Sequence, residues 1–234
     1  MLDVVYILKE GENEELVYSL RSLERNFPFN RVIFVGGCPQ NLEPDLHISF
    51  NQKKDKWSNA RDLLEQACLD NRLTEDIVLF NDDFFVLKQV NTLPVYRNQT
   101  LEELSDLITH NGMRRNSYIN TRIKPTIKAL RVRKLTTYNY ELHLPMKINR
   151  EKMLKIIKLF PNYAKRSCYG NFYEIGGVEI DPLKMNDGSV QSVIRGFKRE
   201  RTFISTTDRS WSGIVGNQIR TIFTKPSRFE KIKV

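Results

Sequence analysis

Residues 77–85 read Ile-Val-Leu-Phe-Asn-Asp-Asp-Phe-Phe, an apolar run interrupted by Asn81, Asp82 and Asp83 and resumed by Phe84 and Phe85. A short apolar run bounded by polar residues reads as a buried strand, and ligands of open α/β sheets sit beyond the carboxyl ends of such strands. Two adjacent carboxylates flanked by aromatics repel each other until a cation or a proton relieves them. The chemistry this predicts is a divalent metal, held by Asp82 and Asp83 and carrying a diphosphate. A surface turn or a helix cap built on Asp side chains is the competing reading.

Three further segments carry polar groups that such a site would use. Lys53 to Arg61 (Lys-Lys-Asp-Lys-Trp-Ser-Asn-Ala-Arg) opens the helix before the acidic strand. A helix start offers unpaired backbone donors, so Lys56, Asn59 and Arg61 in this first turn form a candidate diphosphate cradle; lysines that merely solubilise a helix start are the alternative. His143, in Tyr-Glu-Leu-His-Leu-Pro-Met, is one of three histidines. It suits a metal ligand, a general acid or base, or a phosphate contact, and a core histidine in an apolar stretch is the more frequent outcome. Thr202 to Trp211 ends an apolar piece in hydroxyls, Asp208 and Arg209. It reads either as a second strand end feeding the same cleft or as a Ser/Thr turn capping a helix, the cap being favoured. His47 and His110 are assigned no role.

These residues have to be positioned by the rest of the chain. Its 234 residues are enough to bury a full core. Asp3 to Leu8 predicts a first strand, and Glu14 to Phe27 an amphipathic helix with Leu16, Val17, Leu20 and Leu23 inward. Arg31 to Val35, closed by Gly36 and Gly37, predicts a second strand, and Leu46 to Phe50 a third. Trp57 to Leu69 predicts a second helix, followed by the strand ending at Asn81. This order predicts a mixed, mostly parallel sheet flanked by helices, Rossmann-like, with right-handed crossovers. Later, Leu101 to Asn111, Arg150 to Phe160 behind an Asn149 cap, and Ser212 to Phe223 predict helices in an irregular α+β half. The chain is read as one domain, 1–234, with a nucleotide-binding half to about residue 90 and an acceptor half, 91–234.

Charge and cysteine usage bound the partners. Net charge is +9. Between Asp106 and Glu141 no acid occurs, whereas Arg114, Arg115, Arg122, Lys124, Lys128, Arg131, Arg133 and Lys134 do. Such a block predicts an anionic partner, or else a solvated basic face. Aromatics are not interleaved regularly enough to mark single-strand stacking. No apolar run is long enough for a membrane span, and an acid stands where a signal peptide would carry positive charge. A cytoplasmic protein is expected. Cys38, Cys68 and Cys168 are far apart and predict free thiols.

Four stretches together resemble the Stealth family of sugar-phosphate transferases: Asp3-Val4-Val5-Tyr6 with Asn13 to Glu24, Phe80 to Phe85, the His-x-Pro segment His143 to Pro145, and Phe203 to Asp208. The family's first strand usually continues into Val-Asp-Gly; here Leu8-Lys9-Glu10-Gly11 follows, so the acid expected there is missing or replaced by Glu10. The arrangement of strand, helix, basic helix start and acidic strand end is also similar to glycosyltransferases of the GT-A type. Both resemblances imply a nucleotide-sugar donor and Mn²⁺ or Mg²⁺ on Asp82 and Asp83. Lys56, Asn59, Arg61 and Asn81 would contact the donor, and Asp83, His143 and Asp208 would complete the catalytic site. The implied enzyme transfers a glycosyl or sugar-1-phosphate unit to a glycan or other polymer. A phage-type DNA glycosyltransferase acting on hydroxymethylated bases, holding DNA with the basic 107–140 block, is the alternative in another acceptor class. A non-enzymatic nucleic-acid-binding module is a third reading.

Overall fold

The computed structural model describes residues 1–110, 117–180, 184–185, 193, 197 and 201–231. The chain forms two compact units, one of residues 1–93, 143–148 and 183–234, the other of residues 94–142 and 149–182.

The first unit is built on β1 (Asp3–Leu8), α1 (Glu14–Asn26), β2 (Val32–Gly36), β3 (Leu46–Ile48), α2 (Lys56–Leu69) and β4 (Asp76–Phe80). The sheet order is β3-β2-β1-β4, with a fifth strand, β8 (Met146–Asn149), beyond β4. β1 runs parallel to β2 and β4, and β2 parallel to β3. The fold is therefore mixed α/β, with a mostly parallel central sheet flanked by helices. β1, β2 and β4 are almost wholly buried, which is why their sequences are continuous apolar runs rather than alternating ones.

The order of the strands locates a special edge. The chain steps from β1 to β2 to β3 in one direction, and α2, packed on β1 and β2, then carries it back to β4 on the other side of β1. The reversal point is the gap between the carboxyl ends of β1 and β4, where ligands of open α/β sheets bind. The opposite end is locked by Asp3, whose fully buried carboxylate accepts from Arg31, Asn30 and the Thr74 backbone N–H. Burial alone would raise its pKa, but those donors and the guanidinium charge hold it below the usual value. Between the two edges, Tyr6 packs its ring against Phe34 at 6.0 Å and Phe80 at 5.4 Å, and Phe80 meets Phe27 and Phe84. Each buried aromatic of this kind stabilises the fold by roughly 1.5–3 kcal/mol.

A second layer is attached to the acidic turn. β5 (Phe84–Val86) pairs antiparallel with β10 (Phe203–Ser205). α1 fixes β5 with three side chains at helical spacing: Ser19 Oγ donates to the Phe84 carbonyl, Ser22 Oγ accepts from the Val86 N–H, and Asn26 Nδ2 donates to the Val86 carbonyl. Phe85 stacks on Trp211 at 5.8 Å, and Ile204, Val215, Ile219 and Phe223 complete that small core. The helix predicted over 212–223 is Ile214–Ile222, preceded by a separate short helix, Asp208–Trp211.

In the second unit β6 (Tyr96–Thr100) pairs with β7 (Tyr138–Asn139) antiparallel and β9 (Val178–Glu179) parallel. Its helices are α3 (Leu101–His110), α4 (Lys124–Val132) after a π-helical turn at Ile119–Ile123, α5 (Arg150–Leu159) and α6 (Lys165–Phe172). The end of α3 predicted at Asn111 lies outside the described residues, as do Arg114 and Arg115; the described remainder of the basic block is largely helical. Asn149 caps α5 through the Lys152 N–H, as its position before the amphipathic run implies. Buried Asn171 joins β7 to α6, accepting from the Tyr138 N–H and donating to the Tyr138 and Ser167 carbonyls.

Candidate functional site

Asn81, Asp82 and Asp83 form the turn from β4 to β5, closed by the Phe84 N–H donating to the Asn81 carbonyl at 3.3 Å. They therefore stand at the reversal point of the sheet. The loop after β1 faces them with Asn13, which does two jobs. Its Oδ1 accepts from the Leu16 N–H and caps α1, while its Nδ2 donates to Asp82 Oδ2 at 2.5 Å.

Around this pair the structure concentrates negative charge. Glu15, in the first turn of α1, accepts from Thr206 Oγ1 at 2.6 Å, and the Thr206 N–H donates to the Asp83 carbonyl at 3.2 Å. Burial pushes Glu15 up to about 7, and the charges of Asp82, Asp83 and Asp208 push in the same direction against the Thr206 hydrogen bond. Asp82 is also raised, first by burial and then by the charge of Asp83, although Asn13 opposes this. Glu15 thus feels three carboxylates from two other chain segments.

Among the described residues, two nitrogen-bearing side chains approach one oxygen of Asp83. Asp83 Oδ2 lies 3.6 Å from His143 Nδ1 and 3.7 Å from Lys184 Nζ. Its other oxygen, Oδ1, is buried and has no hydrogen-bond partner among the described residues. A buried carboxylate oxygen left unpaired is costly, on the order of 1–3 kcal/mol, so the arrangement suits a cation that is bound in use. Oxygen donors from two adjacent acids are the donor set of Mg²⁺ or Mn²⁺. No three His, Cys, Asp or Glu side chains among the described residues already enclose such an ion. Further ligands would come from a bound phosphate or from water.

The residues singled out in the sequence are brought together unequally. His143 is 46 % exposed, sits edge-on to Phe84, and adopts a left-handed backbone with φ 51°. It stands at the rim of the site, whereas its apolar neighbours favoured a core histidine. Asp208 is exposed at the start of its short helix, and its charge reaches Glu15. Both readings of 202–211 hold: Phe203–Ser205 is a strand end, and Thr207 with Ser210 forms a capping box.

Lys56, Asn59 and Arg61 make local bonds on α2. Asp55 caps that helix by accepting from the Trp57 and Ser58 N–H groups, Asn59 ties the loop through Lys54, and Arg61 pairs with Asp62. Lys56 lies over the Trp57 ring. Part of the expected anion cradle is therefore already engaged by Asp55.

A shallow hollow of ≈ 550 Å³ opens at the carboxyl ends of β1, β2 and β3, lined by Glu10, Gly36, Gly37, His47, Ser49 and Asn51 among others. Glycine is required at its floor. Gly36 has φ 98°, and a Cβ there would collide with the Leu8 carbonyl.

Sequence reasoning missed Asn13, Glu15, Thr206 and Lys184. Glu15 looks like an ordinary first-turn acid, and Lys184 like any surface lysine. Only the fold, which places positions 13, 82 and 206 together, reveals them. No protein-family model matches this chain, and no curated protein matches it. Among the described residues no helix is long and apolar enough to cross a membrane, and the three cysteines are free.

Proposed function

We propose that the chain is a metal-dependent transferase of GT-A-like architecture that takes a glycosyl or sugar-1-phosphate unit from a nucleotide-sugar. The observation that carries this reading is the carboxylate pair at the reversal point of the sheet, with Asp83 Oδ1 buried and unpaired. The resemblance of residues 3–24 and 80–85 to Stealth and GT-A transferases supports the same donor class.

In this reading the donor diphosphate lies over Asp82 and Asp83, and the nucleoside extends toward the hollow at the ends of β1–β3. Mn²⁺ or Mg²⁺ held by Asp82 and Asp83 would supply neutralising charge to the diphosphate. Asn13 fixes the Asp82 carboxylate. Lys184 sets positive charge on the open side of Asp83, where a phosphate oxygen develops charge. In glycosyl transfer the bond from the sugar C1 to phosphate breaks, an acceptor oxygen bonds to C1, and a nucleoside diphosphate leaves. In sugar-phosphate transfer the bond between the two phosphates breaks instead, an acceptor oxygen bonds to the phosphorus that carries the sugar, and a nucleoside monophosphate leaves. His143, more exposed than Asp83, is placed to take the acceptor hydroxyl's proton. The basic second unit favours an anionic acceptor, a glycan in the main reading and DNA in the alternative.

The test is a hydrolysis screen over a panel of nucleotide-sugars, with and without Mn²⁺. Mn²⁺-dependent release of a nucleoside diphosphate indicates glycosyl transfer; release of a monophosphate indicates sugar-phosphate transfer. No metal-dependent release from any donor overturns the proposal.

A further inference from the structure

The first turn of α1 carries two adjacent carboxylates, Glu14 and Glu15, in opposite situations. Glu14 is exposed and has a cation: Arg220 pairs with it at 2.8 Å, and Trp211 Nε1 donates to it at 3.1 Å. Glu15 is partly buried, accepts from the Thr206 hydroxyl at 2.6 Å, and has no cation within ion-pair distance among the described residues. The charges that bear on it are those of Asp82, Asp83 and Asp208, and all three oppose its ionisation. A glutamine would accept from the Thr206 hydroxyl without meeting that repulsion, so the hydrogen bond alone does not account for a carboxylate at this position. A cation beside Asp82 and Asp83 does, because it turns the same crowding into attraction.

Thr206 fixes where the charge of Glu15 stands. It is wholly buried, its hydroxyl holds Glu15, and its N–H extends the β5–β10 ladder by one bond, to the Asp83 carbonyl at 3.2 Å. Two positions before Glu15, Asn13 reaches Asp82 Oδ2. The start of α1 is thereby joined to both acids of the β4–β5 turn, to Asp82 directly and to Asp83 through Thr206. Glu15 does not complete a direct ligand set, since no three His, Cys, Asp or Glu side chains among the described residues enclose an ion. Mg²⁺ in proteins keeps several of its waters, and a carboxylate beyond the direct ligands can hold such waters in place.

We propose that Glu15, set by Thr206, is a positioning residue for the divalent ion of Asp82 and Asp83, acting from outside the direct ligands by accepting hydrogen bonds from the ion's water. This rests on the metal reading of those two acids and on no particular sugar or acceptor.

The experiment is Mn²⁺ titration of the full chain, alone and with the common nucleoside diphosphates, followed by electron paramagnetic resonance at pH 8. There Glu15, with its pKa pushed up to about 7, is ionised in the wild type. Glu15→Gln keeps the size of the side chain and an acceptor for Thr206 but removes the charge. It should bind Mn²⁺ about tenfold or more weakly, the usual cost of losing such an outer partner, while its metal-free melting temperature stays at or above that of the wild type. Thr206→Val removes only the hydroxyl and should also weaken Mn²⁺, and Thr206→Ser should restore it. Glu14→Gln, which removes a screened charge from the same turn, should stay within about twofold of wild type. Solvent proton relaxation, which counts the waters on bound Mn²⁺, should give the same number at saturation in wild type and Glu15→Gln. A higher count in the variant would make Glu15 a direct ligand and overturn its outer placement, and wild-type affinity in Thr206→Val would overturn the part assigned to Thr206. Wild-type affinity in Glu15→Gln, with the ion lost in Asp83→Asn, overturns the role of Glu15 and leaves the metal reading standing. A wild type that binds no Mn²⁺, alone or with any of these diphosphates, overturns the metal reading and this proposal with it.

Discussion

Asp83 has one carboxylate oxygen between His143 and Lys184 and another that meets no partner among the described residues, an asymmetry with measurable consequences. Replacing it with Asn removes a buried charge without changing shape. Asp83→Asn should therefore melt at or above the wild-type temperature while losing nucleotide-sugar turnover by roughly a hundredfold or more, as when one charge-stabilising group is removed from a site. Wild-type turnover in this variant would exclude the assigned role. Glu15 gives a pH signature. Its pKa in the folded protein is raised to about 7, from an ordinary value near 4.5. Between those values the folded state binds more protons than the unfolded state, so stability is greatest at the acid side and falls as pH rises toward 7. Discounted for partial exposure and for the neighbouring Asp82, Asp83 and Asp208, the loss is about 1–2 kcal/mol. Glu15→Gln should flatten the decline in melting temperature between pH 5 and pH 7, measured without divalent metal. An unchanged decline would show that Glu15 is ionised in the fold.

At the scale of elements, the strands and helices to residue 80 were legible because all but the three-residue β3 are apolar runs or helical stripes, and their observed ends differ from the predicted ones by only a residue or two. β6 was not, since Tyr-Arg-Asn-Gln-Thr has no alternation and is stabilised by its neighbours. Nor was β8, four residues that take their place from the sheet edge beside β4. In the site, adjacent acids after an apolar run were visible, but the Asn13–Asp82 bond joins positions 69 apart and has no local signal. That bond links the start of α1 to the acidic turn. Asn13→Ala should cost about 1 kcal/mol from the lost cap, a drop in melting temperature of roughly 2–4 °C for a chain of this size. Asn13→Ser restores the cap acceptor but not the reach to Asp82. It should recover the stability while metal affinity stays reduced; full recovery of both would make Asn13 a cap and nothing more. At the far edge, Asp3→Ala leaves Arg31 facing a buried gap and should cost about 3 kcal/mol or more by chemical denaturation. Because the folded pKa of Asp3 is lowered, its contribution is complete above the ordinary carboxylate value and is lost as the solution is acidified through the folded one.

Over the whole molecule, the two units differ in character. The first is nearly neutral and carries the sheet edge with its carboxylates; the second holds a balance of +7 and most of the exposed cations of the basic block. Sequence patterning showed the excess charge, but it did not show that Arg131 pairs with Glu102 while Arg122, Arg133 and Lys165 donate to backbone carbonyls. The central claim, however, concerns the first unit: that Asp82 and Asp83 hold a divalent ion against a nucleoside diphosphate. It is tested most directly by titrating Mn²⁺ into the full chain and counting bound ion by electron paramagnetic resonance, with and without a nucleoside diphosphate, in wild type and Asp83→Asn. The account predicts one Mn²⁺ per chain, bound more tightly when the diphosphate is present, and loss of that site in the variant. Equal Mn²⁺ binding by both proteins, or none by the wild type with any of the common nucleoside diphosphates, would contradict it.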